Sequence, residues 1–306
     1  MRIPDVFQPR HQPAISFEVF PPKTDKGMEK LERLLPLLIA EKPSYMTVTY
    51  GAMGTTQSRT LEIARKIQTE YHLDAACHLT CVNASRDQME KILEEIYDAG
   101  IRQIVALRGD PPKGEETFNP PQDGYAHANE LVAHIRRFDS APGRERFGVA
   151  VAGYPEKHLE ATDAKDDLKW LKNKVNAGAD AVITQLFFDN RDFFSFDEDC
   201  KKVGIDVPIV PGLMPILDAK QIKMITGMCG SKIPVELHDQ LEAAVDDPEA
   251  ATELGVRHCT RQAIELLERG VPGIHFYVLN RAEPMQRIMG ALRERGLLEK
   301  RTSSHA

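Results

Sequence analysis

The sequence predicts an α/β fold: a closed (β/α)8 TIM barrel of eight parallel strands, with extra helices between strands 7 and 8. Three observations predict it. Short apolar runs rich in β-branched and aromatic residues alternate with apolar-periodic helices eight times without a break, and such alternation builds a parallel sheet. Eight units in 306 residues suit one barrel, read as a single domain over 1–306. A doubly wound open sheet would carry a glycine-rich phosphate turn after its first strand. Here that turn is PPKTDKG, and no GxGxxG or Walker pattern occurs.

Residues 1–13 carry three prolines and read as an irregular arm. AISFEVF (Ala14–Phe20) is strand 1, with Ile15, Phe17 and Val19 on one face and Ser16, Glu18 and Phe20 on the other. Met28–Ile39 follows as a helix with leucines at 3–4 spacing. Tyr45–Tyr50 is strand 2, Arg59–Tyr71 a helix and Ala75–Cys81 strand 3. Ser85 caps a helix that runs to about Ala99 and stops at Gly100. Ile104–Leu107, with Gln103 before it, is strand 4 and opens the stretch IVALRGDPP. The loop 111–127, rich in Pro, Gly and Glu, is long enough to be a lid or binding loop. Ala128–Phe138 is a helix, Phe147–Tyr154 strand 5, and Thr162 or Asp163 caps the helix that closes at Gly178. Ala181–Phe188 is strand 6, and Asn190 or Asp192 opens a helix to Val203. Pro208–Met214 is strand 7, and Asp218 caps the helix after it. Pro234–Val245 and Pro248–Arg269 are the two further helices, Gly273–Leu279 is strand 8, and Pro284–Arg295 is the last helix. The tail, 300–306, reads as disordered.

The net charge of −7 implies no affinity for nucleic acid, whose binders show a basic face. No apolar run approaches a membrane span, and the N-terminus MRIPDVFQPRHQP lacks the apolar core of a signal peptide. Five cysteines without regular spacing suit free thiols in a reducing compartment, read as the cytoplasm.

In such barrels the site gathers at the C-terminal ends of the strands. Those ends carry Glu18, Thr49, His78, Arg108 with Asp110, Tyr154, Gln185 and Arg281. Thr49 and Gln185 are also what a solvated strand end would show. Arg108 and Asp110, two residues apart, share a strand face, which suits either a bound ligand or a structural ion pair. Glu18 lies among Phe17, Val19 and Phe20. Apolar surroundings raise a carboxyl pKa and would let it act as an acid near neutrality. His78 stands between Cys77 and Cys81 but on the opposite strand face, so a zinc site is disfavoured and no metal is expected. Glu18 with Asp110 matches a glycosidase pair by type, but the nearby cations suit a phosphate-bearing ligand better. Asp167 and Lys174, seven apart, share a helix face.

SFEVFPPK, VTYGA, CHLTC, IVALRGDPP, VAGYPEKH, ITQLFFD and FYVLNRAEP, in this order from about residue 14 to 290, resemble methylenetetrahydrofolate reductase of the short bacterial type. The resemblance implies FAD in the barrel, NADH or NADPH as hydride donor, and ping-pong reduction of 5,10-methylenetetrahydrofolate to 5-methyltetrahydrofolate. That reaction belongs to one-carbon metabolism and methionine biosynthesis. The family's general-acid position falls on Glu18, and the anion beside pterin and flavin on Asp110. The cofactor positions fall on Thr49 (a nicotinamide contact), Tyr50, Ala52, His78, Arg108, Gly109, Asp110, Tyr125, Ala126, Tyr154, His158, Asp167 and Lys174. Of these, Arg108, His158 and Lys174 would face the diphosphate or ribose region. Gln185, Gln221 and Arg281 fall on substrate contacts. Ile225 stands where the family carries a stacking Phe, and Asn173 where a basic residue is familiar. The resemblance further implies a homo-oligomer, and no adenosylmethionine-binding domain is expected after strand 8. Competing readings are another flavin barrel oxidoreductase, such as a proline dehydrogenase type, and a non-catalytic flavin- or folate-binding protein.

Overall fold

The computed structural model describes residues 3–7, 12–49, 57–111, 114–115 and 117–298. The strands are β1 Ala14–Val19, β2 Tyr45–Val48, β3 Ala75–Thr80, β4 Gln103–Leu107, β5 Gly148–Gly153, β6 Ala181–Leu186, β7 Ile209–Leu213 and β8 Gly273–Tyr277. They close in sequence order into one parallel barrel, β8 pairing with β1 through Ala14–Gly273 to Glu18–Tyr277. A short helix α1 (Ile3–Val6) precedes them. Around them lie α2 Asp25–Ile39, α3 Gln57–Glu70, α4 Arg86–Asp98, α5 Ala128–Asp139, α6 Ala164–Asn176, α7 Asn190–Lys202 and α11 Glu283–Glu294. The extra helices predicted between strands 7 and 8 are α9 Val235–Ala243 and α10 Pro248–Glu268, after α8 Ala219–Cys229.

Strand alternation sorts the side chains into two cores. Ile15, Phe17, Val19, Cys77, Leu79, Ile104 and Phe276 point outward and pack under the helices. Phe17 and Phe276 meet edge to face at 6.2 Å across the β1–β8 seam, a geometry that adds to their burial. Asn280 clamps the same seam, donating to Phe20 O (2.9 Å) and accepting from Phe20 N (3.1 Å). Inside the barrel, Ala14, Tyr45, Ala76, Val105, Ala150, Ala181, Ile183 and Val210 form an apolar lower layer.

The N-terminal arm departs from its irregular reading. Ile3 and Phe7 are buried in that lower layer, and Ile3 N donates to Gln103 Oε1 at 2.6 Å. Two apolar side chains among three prolines carry no periodicity, so only the barrel's open lower end reveals their use.

Caps follow local chemistry. Ser85 and Gln88 form the reciprocal box at the start of α4, and Asp163 and Asp218 cap α6 and α8. As expected, α7 opens at Asn190, with Asp189 as its cap; the Asn190 side chain is turned inward to Gln262 O and Glu265. All five cysteines are free. No helix among the described residues is long and apolar enough to cross a membrane. The predicted disorder of the tail 300–306 falls outside the described residues.

Candidate active site

The C-terminal ends of the strands enclose a cleft of about 580 Å³. Its floor is polar. Glu18 leaves β1 inward, as alternation requires, with its side chain 14% exposed. One oxygen, Oε2, takes three neighbours: His275 Nε2 at 3.1 Å, His78 Nε2 at 3.2 Å and Thr47 Oγ1 at 3.4 Å. His275 is fully buried on β8, and its Nδ1 meets Ser16 Oγ at 2.8 Å. The chain Ser16–His275–Glu18–His78 therefore crosses the barrel floor. Tyr277, also inward on β8, donates to Thr184 O at 2.7 Å.

This cluster reverses the expected acidity of Glu18. Burial alone would raise its pKa, but the two imidazoles more than offset that and hold the carboxyl well below the usual range. His275, on a strand far away in sequence, supplies the partner that a reading of β1 alone lacks.

The wall is cationic. Beyond β4 the chain turns at Gly109, whose φ is +88°. The turn breaks strand alternation, so Arg108 and Asp110 do not pair as strand neighbours. Arg108 instead binds Glu160 through two N–H groups, the Nη2–Oε1 distance being 2.7 Å, and lies 5.2 Å from the Phe118 ring centre. Asp110 is exposed at the cleft edge. A Cβ at Gly109 would sit 2.5 Å from Val82 Cγ2, so glycine is required there on both counts.

From α6, Lys174 donates to Ala152 O at 2.6 Å. Burial pushes its pKa down to about 8, with Arg108 adding and Asp167 opposing. Asp167 accepts from His158 N at 3.0 Å, and burial raises its own carboxyl. His158 packs edge-on to Tyr154 at 4.7 Å and accepts from Glu160 N through Nδ1. Burial and then Arg108 lower its pKa. That shift disfavours the cationic form of His158.

Of the residues singled out in the sequence, Glu18, Thr49, His78, Arg108, Gly109, Asp110, Tyr154, His158, Asp167, Lys174 and Gln185 line this one cleft. Tyr50 and Ala52 lie outside the described residues. Tyr125 and Ala126 do not line it. The Tyr125 ring is buried, its hydroxyl bonded to His134 Nδ1 and Arg86 resting over its face. His127 and Ala128 stand at the cleft instead. The Glu130 carboxylate, accepting from Ala126 N and His127 N at 2.7 and 2.9 Å, sets that start of α5. Gln221 and Arg281 are exposed and do not line the cleft. Ile225 is half-buried against the apolar cluster of Leu186, Phe188 and Met214, and Asn173 is likewise off the lining.

Contributors that escaped the sequence reading include His275, Tyr277, His127 and Trp170. For the first two a signal existed, since alternation through GIHFY places both on the face opposite Ile274 and Phe276.

The family model of methylenetetrahydrofolate reductase matches residues 2–293. The chain is 40% identical over 295 residues to methylenetetrahydrofolate reductase (NADH) 1 of Zea mays, covering 94% of this chain and 49% of that one. It thus spans about half the length of the plant relatives it matches. Against 5,10-methylenetetrahydrofolate reductase of Escherichia coli (strain K12) it is 38% identical over 269 residues, covering 88% of this chain and 87% of that one. A solved structure from Clostridium thermocellum, of an uncharacterized protein that binds two copies of 5-methyl-5,6,7,8-tetrahydrofolic acid, superposes with a TM-score of 0.61 at 16% identity, covering 95% and 97% of the two chains. That likeness is one of fold. With its barrel closed in sequence order and its polar strand ends in one cleft, the chain belongs to the methylenetetrahydrofolate reductase family.

Proposed function

We propose that this protein reduces 5,10-methylenetetrahydrofolate to 5-methyltetrahydrofolate, with FAD resident in the cleft and NADH or NADPH as hydride donor. The observation that carries the reading is a buried carboxyl–imidazole cluster, centred on Glu18, beneath a wall that presents Arg108 and Lys174. The residues fit a flavin. Thr80 Oγ1 is buried at the cleft without a hydrogen-bond partner, and such an atom calls for a polar ligand. Gly109 lets backbone approach closely, and Arg108 and Lys174 would hold the diphosphate. When bound, FAD supplies a two-electron relay between nicotinamide and folate.

The chain's own residues do the rest. Opening the methylene bridge needs a proton on the leaving nitrogen. The Glu18 carboxyl, linked to His275 and His78, would deliver it, the three groups acting as a unit. Asp110 faces the positive charge that develops as the bridge opens. Gln185 would contact pterin and nicotinamide in turn, as ping-pong exchange requires, and exposed Arg281 and Gln221 would meet the folate's outer end. The maize relative is named for NADH, which makes NADH the first donor to test. Homo-oligomeric assembly, a cytoplasmic location and a place in methionine biosynthesis belong to the same reading. The test is the visible spectrum of the purified protein, followed by bleaching with NADH or NADPH and reoxidation by methylenetetrahydrofolate. A protein that takes up no flavin, or whose reduced form ignores the folate, refutes it.

Two predictions arise here. Asp110→Asn should slow the folate half-reaction about tenfold to a hundredfold while flavin binding stays within a few-fold. That loss is smaller than for an enclosed electrostatic contact, because Asp110 is exposed. Stopped-flow reoxidation against flavin titration checks it. The second concerns pH. Lys174 loses its charge above about 8, and a bound diphosphate would raise that value. Binding then takes up a proton, so FAD affinity is full below about pH 8 and falls as pH rises through it. Titrating apoprotein with FAD on both sides of that pH checks the sign, and Lys174→Met should flatten the dependence.

A further inference from the structure

We propose that the stacked pair His127–Trp170 at the cleft rim is the shelf for the adenine of the resident dinucleotide, making the site selective for FAD over FMN; this rests on the flavin reading above. Trp170 is the single tryptophan of the chain. It is 38% exposed, and its indole stacks on the exposed imidazole of His127 with ring centres 4.5 Å apart and planes 28° apart. Both residues line the cleft that holds Glu18 and Arg108. An aromatic pair already stacked and open to solvent offers a flat apolar face to a third ring.

Its place along the cleft selects the ligand part. Trp170 follows Asp167 by three positions on α6 and precedes Lys174 by four, so all three share one helix face. The indole therefore lies about one turn, ~5 Å along the axis, from the cation assigned to the diphosphate. The floor, where hydride and proton would move, is built from strand residues, whereas Trp170 lies on the outer helix α6 and His127 at the start of α5. A ligand running outward from the floor meets Arg108 and Lys174 and then this shelf. That order matches isoalloxazine, diphosphate, ribose and adenine. FMN ends at its single phosphate and cannot reach the rim.

The shared chemistry is an adenosine diphosphate group, which FAD and the nicotinamide donors both carry. ADP is the probe, because flavins absorb the emission of tryptophan and ADP does not. Since Trp170 is the sole indole, protein emission reads this position alone. Apoprotein titrated with ADP should show saturable quenching of that emission, and ADP should weaken FAD uptake in equilibrium dialysis. FAD should bind at least about tenfold tighter than FMN by equilibrium dialysis, the scale of one base–aromatic stack. Trp170→Ala should remove most of that preference, leaving FMN affinity and the melting temperature unchanged, and Trp170→Phe should retain much of it. If the contact belongs instead to the donor's adenosine, Trp170→Ala weakens NADH binding to the FAD-loaded protein and spares the FAD-to-FMN ratio; that result overturns the proposal. An unmoved emission on adding ADP overturns it as well. Wild-type protein that binds neither flavin refutes the flavin reading and the shelf with it.

Discussion

Glu18→Gln is expected to keep the flavin, and its reduction by NADH, while folate reduction falls by about 10²–10⁴-fold, the span of a lost proton-transfer group. The substitution is nearly isosteric. The hydrogen bonds and ion pairs of Glu18 run to Thr47, His78 and His275 and not to Arg108 or Lys174 of the cationic wall. What changes is the oxygen on which His275, His78 and Thr47 converge. An amide there still accepts a hydrogen bond but cannot deliver a proton to a substrate nitrogen. Separate half-reactions in a stopped-flow instrument decide the matter: flavin bleaching by NADH at the wild-type rate, with reoxidation by methylenetetrahydrofolate almost absent. Normal folate reduction by this variant would remove the cluster from the mechanism. Loss of bleaching as well would show that the cluster holds the flavin.

Gly109→Ala should give the second large effect, this time on the cofactor. The residue adopts φ +88°, and forcing alanine into that region costs about 1–3 kcal/mol. The added methyl also meets Val82 Cγ2 at 2.5 Å and Thr80 Cβ at 3.0 Å. The cheapest escape is to move the turn, which carries Arg108 and Asp110 away from their places. The expected result is a lower melting temperature and protein purified largely colourless. Val82→Ala in the same chain relieves the closest contact and should restore part of the flavin content, a coupling that a double-mutant cycle measures. An alanine variant with full flavin content would mean that the turn tolerates the displacement.

The parts of this molecule that local chemistry determines were legible in the sequence. Strand alternation placed Glu18 and His78 inward and Cys77 outward, and Ser85 and Asp218 marked helix starts, because each depends on neighbours within four residues. Asp167 and Lys174 followed from helical spacing. What escaped depends on distant partners. The lowered pKa of Glu18 owes much to His275, 257 residues further along the chain. His127 and Ala128 stand at the cleft after a loop rich in proline and glycine, where no periodicity pins the register and only the Glu130 hydrogen bonds show where α5 begins. Trp170 escaped because nothing in its sequence neighbourhood announces the imidazole that meets it from the start of α5.

Ile3 and Phe7, wedged beneath the apolar lower layer, have a bearing on traffic. Together with that layer they stopper the barrel from below and make it a blind-ended vessel. Whatever reaches the carboxylate at its base must back out by the way it came, before a second visitor can take its seat.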